Sequence, residues 1–272
     1  IFANHFGLPF LTYATWMPLP ALASSIVCYL LLRWRFRAAI DVVYTMSESP
    51  PSPMGRARPA PFLAALLVTI GIFVSYFVLS ALDIAYHWAI LAGALAILWP
   101  VWATPGASLR RVVRGLPWDE LLFVTGMFII AFGLTNGGLT RVLEAAVYWL
   151  AHSSLLVVAV GNSLLTMIGA NLINDWPMSM LSSLVIDTVT REAEVPAPVR
   201  EVLAYTAVMS ANLGNKILPM GSLATLIWMG VIRRIAGIQI GWGHFIRTGL
   251  LVTPPTLLAA VLTLWVEFLL WR

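Results

Sequence analysis

The stretch Ala211-Asn212-Leu213-Gly214-Asn215-Lys216-Ile217-Leu218-Pro219-Met220-Gly221 interrupts a long apolar run with two amides, a lysine and three helix breakers. A charge at the centre of a bilayer costs about 2.5 to 3.5 kcal/mol on insertion scales, so it is kept where it faces a bundle interior, a water-filled cavity or a partner. A broken helix carrying such a charge is how carriers expose backbone groups to a solute at mid-membrane. Composition agrees: the 272 residues are 60% hydrophobic and 10% charged, with twelve tryptophans, against about 25% charge in ordinary soluble domains. The chain therefore reads as an all-α polytopic membrane protein, since helices satisfy their own backbone in lipid. The net charge of +4 comes from arginines gathered at segment ends, a topology signal rather than a nucleic-acid-binding stripe. Cys28 is the only cysteine, which excludes an intrachain disulfide, a thiolate metal cage and a CxxC redox pair.

Working outward, residues 199–235 read as one discontinuous helix broken at Gly214, Pro219 and Gly221, and residues 244–270 as the last helix. Upstream, the apolar run 155–173 is followed by a second, 178–189, too short to cross alone against the roughly 20 residues a span needs. The pair 155–189 is therefore predicted to be a re-entrant hairpin whose tip is Asn171-Leu172-Ile173-Asn174-Asp175-Trp176-Pro177. Helices are predicted at about 62–82, 87–103 and 118–135, with an amphipathic interfacial helix at 139–152. Residues 1–33 end in one more transmembrane helix. Residues 34–61, rich in arginine and proline, read as a cytosolic linker. With the hairpin not crossing, eleven arginines fall on one side and Arg141, Arg191, Arg200 and Arg272 on the other, which makes the first side cytoplasmic. The same parity results if both hairpin arms cross, so the charges orient the chain without deciding re-entrance.

The tip and the break match. Ala170-Asn171-Leu172-Ile173-Asn174-Asp175 aligns with Ala211-Asn212-Leu213-Gly214-Asn215-Lys216, and Pro-Met follows each. In both, two asparagines and a charge sit at i, i+3 and i+4, one helical face. Asn171, Asn174, Asn212, Asn215, Ser222 and Thr225 are the candidate solute-binding residues, beside the positive ends of helices starting near Pro177 and Gly221. Asp175 and Lys216 are the candidate proton-coupling pair, because desolvation and the neighbouring charge act in opposition on the carboxyl. Pro177, Gly214, Pro219 and Gly221 shape the breaks. The competing reading makes Asp175 and Lys216 a buried ion pair fixing hairpin against helix, and the asparagines caps for frayed helix ends.

Gly214-Asn215-Lys216-Ile217-Leu218-Pro219-Met220-Gly221-Ser222-Leu223-Ala224-Thr225-Leu226-Ile227-Trp228 resembles the arsenite and antimonite efflux permease family, whose stretch has the flavour GPKxTPIGSLATLLW. Arg114-Gly115-Leu116-Pro117-Trp118, Gly133-Leu134-Thr135-Asn136-Gly137-Gly138-Leu139-Thr140 and Trp242-Gly243-His244-Phe245-Ile246-Arg247-Thr248-Gly249 match as well. The resemblance covers nearly the whole chain and implies the ion transporter superfamily, in which two inverted repeats each supply a hairpin and a broken helix around a central solute. On that basis residues 1–33 end the first repeat and 62–272 form the second. The sequence, starting at Ile1 without a signal peptide, is expected to be a fragment lacking half of the site. Asn215 stands where the family usually has proline, Leu218 where it often has threonine, and Asn174-Asp175-Trp176-Pro177 where paired asparagines are common.

The resemblance implies export of arsenite or antimonite from the cytosol across a bacterial inner membrane, driven by protons or, in some members, assisted by a cytosolic ATPase. The solute is expected as neutral trihydroxide held by oxygen and nitrogen groups, with no cofactor and no resident metal. Protons and the lipid bilayer are the other expected partners; nucleic acid is excluded, and oligomeric state stays open. The alternatives are a sodium/proton antiporter or carboxylate carrier of the same superfamily, and an intramembrane enzyme. The last is disfavoured because HExxH, GxSxG and GxGD are absent.

Overall fold

The computed structural model describes residues 10–40, 59–82, 88, 91–96, 109–116 and 118–271. All regular structure among the described residues is helical. The predicted helix at 87–103 falls mostly outside them.

The chain divides into two compact units, residues 1–40 with 117–272, and residues 41–116. In the second unit, α3 (Pro59–Ala81) is a 23-residue apolar helix, and α4 (Leu109–Gly115) is short and carries Arg110, Arg111 and Arg114.

The first unit begins with α1 (Phe10–Trp16) and α2 (Pro18–Ile40). Helix α2 continues to Ile40, so residues 34–40, which the sequence reading gives to the linker, are helical and carry Arg35 and Arg37 on the last turns. Arginine there complements the negative helix end. Next come α5 (Trp118–Asn136) and α6 (Leu139–Ala151), bent by 74° at a short break. The bend falls at Gly137-Gly138, where Gly138 adopts φ 97°, a conformation glycine reaches without penalty. Helix α6 buries Leu143, Val147 and Leu150 and exposes Val142, Tyr148 and Trp149. An apolar exposed face beside a buried one suits a helix seated between protein and lipid.

Helices α7 (Leu155–Ile173), α8 (Asp175–Glu192), α9 (Ala197–Leu213) and α11 (Trp242–Trp271) build the core, and α2 runs against α11. Every residue of α9 from Val202 to Ala211 is buried; a helix enclosed all round is a centre, not a boundary. Ala159, Ala170, Ala204, Ala207, Ala211 and Ala260 are buried along the contacts, small side chains that let helix backbones approach in a medium with no hydrophobic drive between helices. Asn162 of α7 donates to Leu203 O and to Thr206 Oγ1, both at 2.9 Å, a buried polar tie between α7 and α9. At one end, Trp16 stacks on Phe268 at 4.5 Å beside Tyr205.

Among the described residues, α2, α7 and α11 are each long and apolar enough to cross a membrane. Helix α8 is less apolar, carrying Asp175, Asp187, Arg191 and Glu192. Helix α11 is 30 residues long and contains Pro254 and Pro255, each of which removes one helical donor.

Candidate functional site

The turn between α7 and α8 is one residue. Asn174 at φ 75° and ψ 155° reverses the chain, a positive-φ conformation that side chains rarely adopt and that the surrounding bonds must hold. Its Oδ1 accepts from Trp176 N at 3.3 Å, capping α8, and its Nδ2 donates to Met220 O at 2.8 Å. The same amide that makes the turn thus fastens it to the break in the next helix. Asp175 is the first residue of α8, where a carboxylate complements the positive helix end, and Pro177, in the first turn, costs no backbone bond. Helix α8 therefore starts two residues earlier than the sequence reading places it.

The break is longer. Helix α9 ends at Leu213; Gly214 caps it in a right-handed conformation, a 3-10 turn spans Pro219–Gly221, and α10 (Leu223–Ala236) begins after Ser222. The positive end beyond the break thus starts after Ser222, which caps it with its backbone: Ser222 O accepts from Thr225 N and Leu226 N. The loose backbone groups need partners, since an orphaned buried N–H or C=O costs about 1 to 3 kcal/mol. Asn171 supplies them. Its Nδ2 donates to Gly214 O at 2.7 Å and Met167 O at 2.8 Å, while its Oδ1 accepts from Ile217 N at 3.0 Å and Leu218 N at 2.8 Å. One buried side chain uses both donors and both lone pairs on backbone, and three of those bonds hold the break.

Close approach makes this geometry fit. A Cβ at Gly221 would lie 2.6 Å from Asn215 O and 3.1 Å from Asn171 Oδ1. On the far side, a Cβ at Gly249 of α11 would lie 2.5 Å from Lys216 O and 2.9 Å from Ile217 Cα. The break is pressed between the hairpin and α11, with glycine where each backbone touches it.

The two charges meet indirectly. Asn215, buried, donates from Nδ2 to Asp175 Oδ2 at 2.9 Å and accepts at Oδ1 from Lys216 Nζ. Among the described residues Asp175 and Lys216 are not joined directly, so the contact pair of the competing reading is replaced by a bridge of three side chains. Asp175 Oδ1 is buried without a hydrogen-bond partner.

Of the nominated residues, the fold brings together Asn171, Asn174, Asp175, Asn215 and Lys216 around the break. Ser222 is buried within it, and Thr225 lies in the first turn of α10. Asn212 stands apart: it is exposed on α9 and donates to Val208 O of its own helix at 2.9 Å. The sequence reading did not nominate Asn162 or Gly249. A buried amide at 162 is visible only as one polar residue in an apolar run, and Gly249 only as part of the Trp242–Gly249 motif.

Helices of membrane-crossing length, a buried helical core and a broken helix with charged side chains at the break define a polytopic α-helical membrane protein. The sequence profile described as arsenical pump membrane protein matches residues 1–269, and the chain belongs to that family. It is 32% identical over 264 residues to the arsenical pump membrane protein of Escherichia coli and 34% identical over 265 residues to that of Yersinia enterocolitica. Both matches cover 96% of this chain and 60% of the relative's length. An uncharacterized transporter of Mycobacterium tuberculosis is 25% identical over 173 residues, covering 60% of this chain and 40% of that protein. No solved structure matches the chain significantly.

Proposed function

We propose that the chain is the second repeat, with the last helix of the first, of an efflux carrier for arsenite and antimonite in the bacterial inner membrane. The solute crosses as neutral trihydroxide in exchange for protons. Helices α7 and α8 act as a re-entrant hairpin, and α9 with α10 as one broken span. The observation that supports this reading best is the bridge Asp175–Asn215–Lys216. A carboxylate that takes and releases a proton at one end of the bridge changes the charge balance felt by the ammonium at the other. Anything that settles beside Lys216 changes the balance at Asp175 in turn. Such reciprocity is what exchange needs, because two ligands coupled through one site alter each other's binding equally.

Within the bridge each side chain has a role. Asp175 holds or gives up the proton at Oδ1, the oxygen no protein donor occupies. Asn215 fixes the separation of the charges, and Lys216 presents its ammonium to the solute side. Asn171 and Asn174 have their amides engaged with backbone and keep tip and break in register rather than touching solute. A cytosolic ATPase partner is compatible with this scheme and is not required by it.

Everted vesicles carrying the full-length protein test it. Under an imposed pH gradient, arsenite and antimonite are expected to accumulate and to collapse the gradient as they do. The unpartnered Oδ1 of Asp175 also favours a second reading, sodium/proton exchange. Sodium-dependent proton movement with no arsenite flux would replace the first reading with that one, and dicarboxylate flux would point to a carboxylate carrier.

A further inference from the structure

Beside the bridge lies a cavity of about 520 Å³ between α2, α10 and α11, with Lys216 among the residues that line it. Its volume is in the range of small-molecule sites, roughly 300 to 1,000 Å³. Cys28, Lys216, Thr225, Thr248, Thr253 and Thr256 line it among apolar side chains. A hydroxyl inside a helix ordinarily folds back onto the carbonyl four residues earlier. Thr263 of the same helix does so, donating to Ala259 O at 2.8 Å, as do Thr190 and Thr206 in α8 and α9. Thr248 and Thr256 do not: the Oγ1 of each is buried with no hydrogen-bond partner, and Thr256 is only 8% exposed. Two hydroxyls therefore forgo the bond their helix offers, at a cost of about 1 to 3 kcal/mol each if they stay unpaired. Between them, Pro254 and Pro255 leave the carbonyls of Leu250 and Leu251 without their usual helical donors. Hydroxyl-bearing side chains on one wall of an otherwise apolar cavity suit an uncharged solute carrying several hydroxyls.

We propose that this cavity is where a neutral polyhydroxylated solute is loaded, with Thr248 and Thr256 holding it on the wall beside Lys216. It rests on the arsenite reading for the identity of the natural solute. The cavity lies toward the end of the unit where the arginines gather: Arg37 ends α2, Arg233 and Arg234 end α10, and Phe36 of α2 meets His244 at the start of α11 with ring centres 6.4 Å apart. That end is cytoplasmic by the excess of positive charge, the side from which an exporter loads.

Two measurements on the full-length protein test the site. In the first, the isosteric pair Thr248→Val and Thr256→Val is expected to raise the KM for arsenite uptake into everted vesicles by roughly tenfold, two neutral hydrogen bonds at about 0.5 to 1.5 kcal/mol each. The maximal rate should change less than the KM. Because neither hydroxyl bonds to protein, thermal unfolding should be unchanged or later, which separates a binding loss from a folding loss. A KM within twofold of wild type overturns the proposal. The second measurement needs no transport: maleimide labelling of Cys28, followed on its peptide by mass spectrometry, with boric acid as a neutral trihydroxide probe. Slower labelling in boric acid, lost in the double valine variant, is expected; labelling indifferent to boric acid overturns the site. Wild-type protein that shows the protection but no arsenite flux would sink the exporter reading while keeping the cavity as a site.

Discussion

The hairpin tip and the helix break carry nearly the same residues and do opposite work. At the tip, the reversal takes a single residue, Asn174, and both asparagines are buried with their amides committed to backbone. At the break, the irregular backbone runs from Gly214 to Ser222; Asn212, still on α9, is exposed and bonds its own helix, while Asn215 bridges two charges. The tip is a clamp and the break is what it clamps. Sequence likeness fixes which residue types are present, whereas the path of the backbone decides where each amide's bonds go.

Substitutions that treat the matched positions alike should therefore separate them. Asn215→Leu keeps the volume and removes the bridge, and is expected to cut proton-driven flux at least tenfold, since a hydrogen bond to a charge is worth about 1.5 to 3 kcal/mol. Flux retained within twofold would reduce the bridge to packing. Asn171→Ala orphans two backbone N–H groups and a carbonyl at the break, and should lower stability in detergent by about 3 kcal/mol, read as an earlier thermal transition. Gly249→Ala drives a methyl into the Lys216 carbonyl and should cost about 1 to 3 kcal/mol as an overpacked contact. A variant as stable as wild type would mean that α11 yields easily there. Asn212→Ala, the partner of Asn171 by sequence, should change stability by less than about 0.5 kcal/mol. An effect of Asn212→Ala equal to that of Asn171→Ala would erase the contrast between tip and break.

Much of this fold was legible because lipid simplifies it. Apolar runs of fixed length mark helices, and Gly214, Pro219 and Gly221 are unmistakable inside one of them. That Asp175 and Lys216 lie near each other was readable from charge economy, because isolated charges in an apolar chain need company. What the sequence did not reveal is the intermediary. Asn215 reads equally as a cap, a solute ligand or a bridge, and only the backbone path from Gly214 to Gly221 brings its amide within 2.9 Å of Asp175. Asn171 was nominated as a solute ligand for the same reason: composition shows an amide, not where its four bonds go. The extension of α2 to Ile40 was hidden by arginines that mark a membrane boundary without ending a helix. Thr248 and Thr256 were overlooked because threonine in an apolar helix usually bonds its own backbone and carries no signal.

In the proposed mechanism a proton held at Asp175 is exchanged for solute at the break. Asp175→Asn in the full-length protein tests it most directly, since the amide keeps the size of the side chain and can still hydrogen-bond to Asn215 while losing the ionisable group. Arsenite uptake into everted vesicles should be measured with and without a pH gradient, together with proton release. The expected result is a folded, inserted variant whose arsenite uptake no longer responds to the gradient and releases no protons. Gradient-driven uptake at the wild-type rate would contradict it and leave the carboxyl as the N-terminal complement of α8.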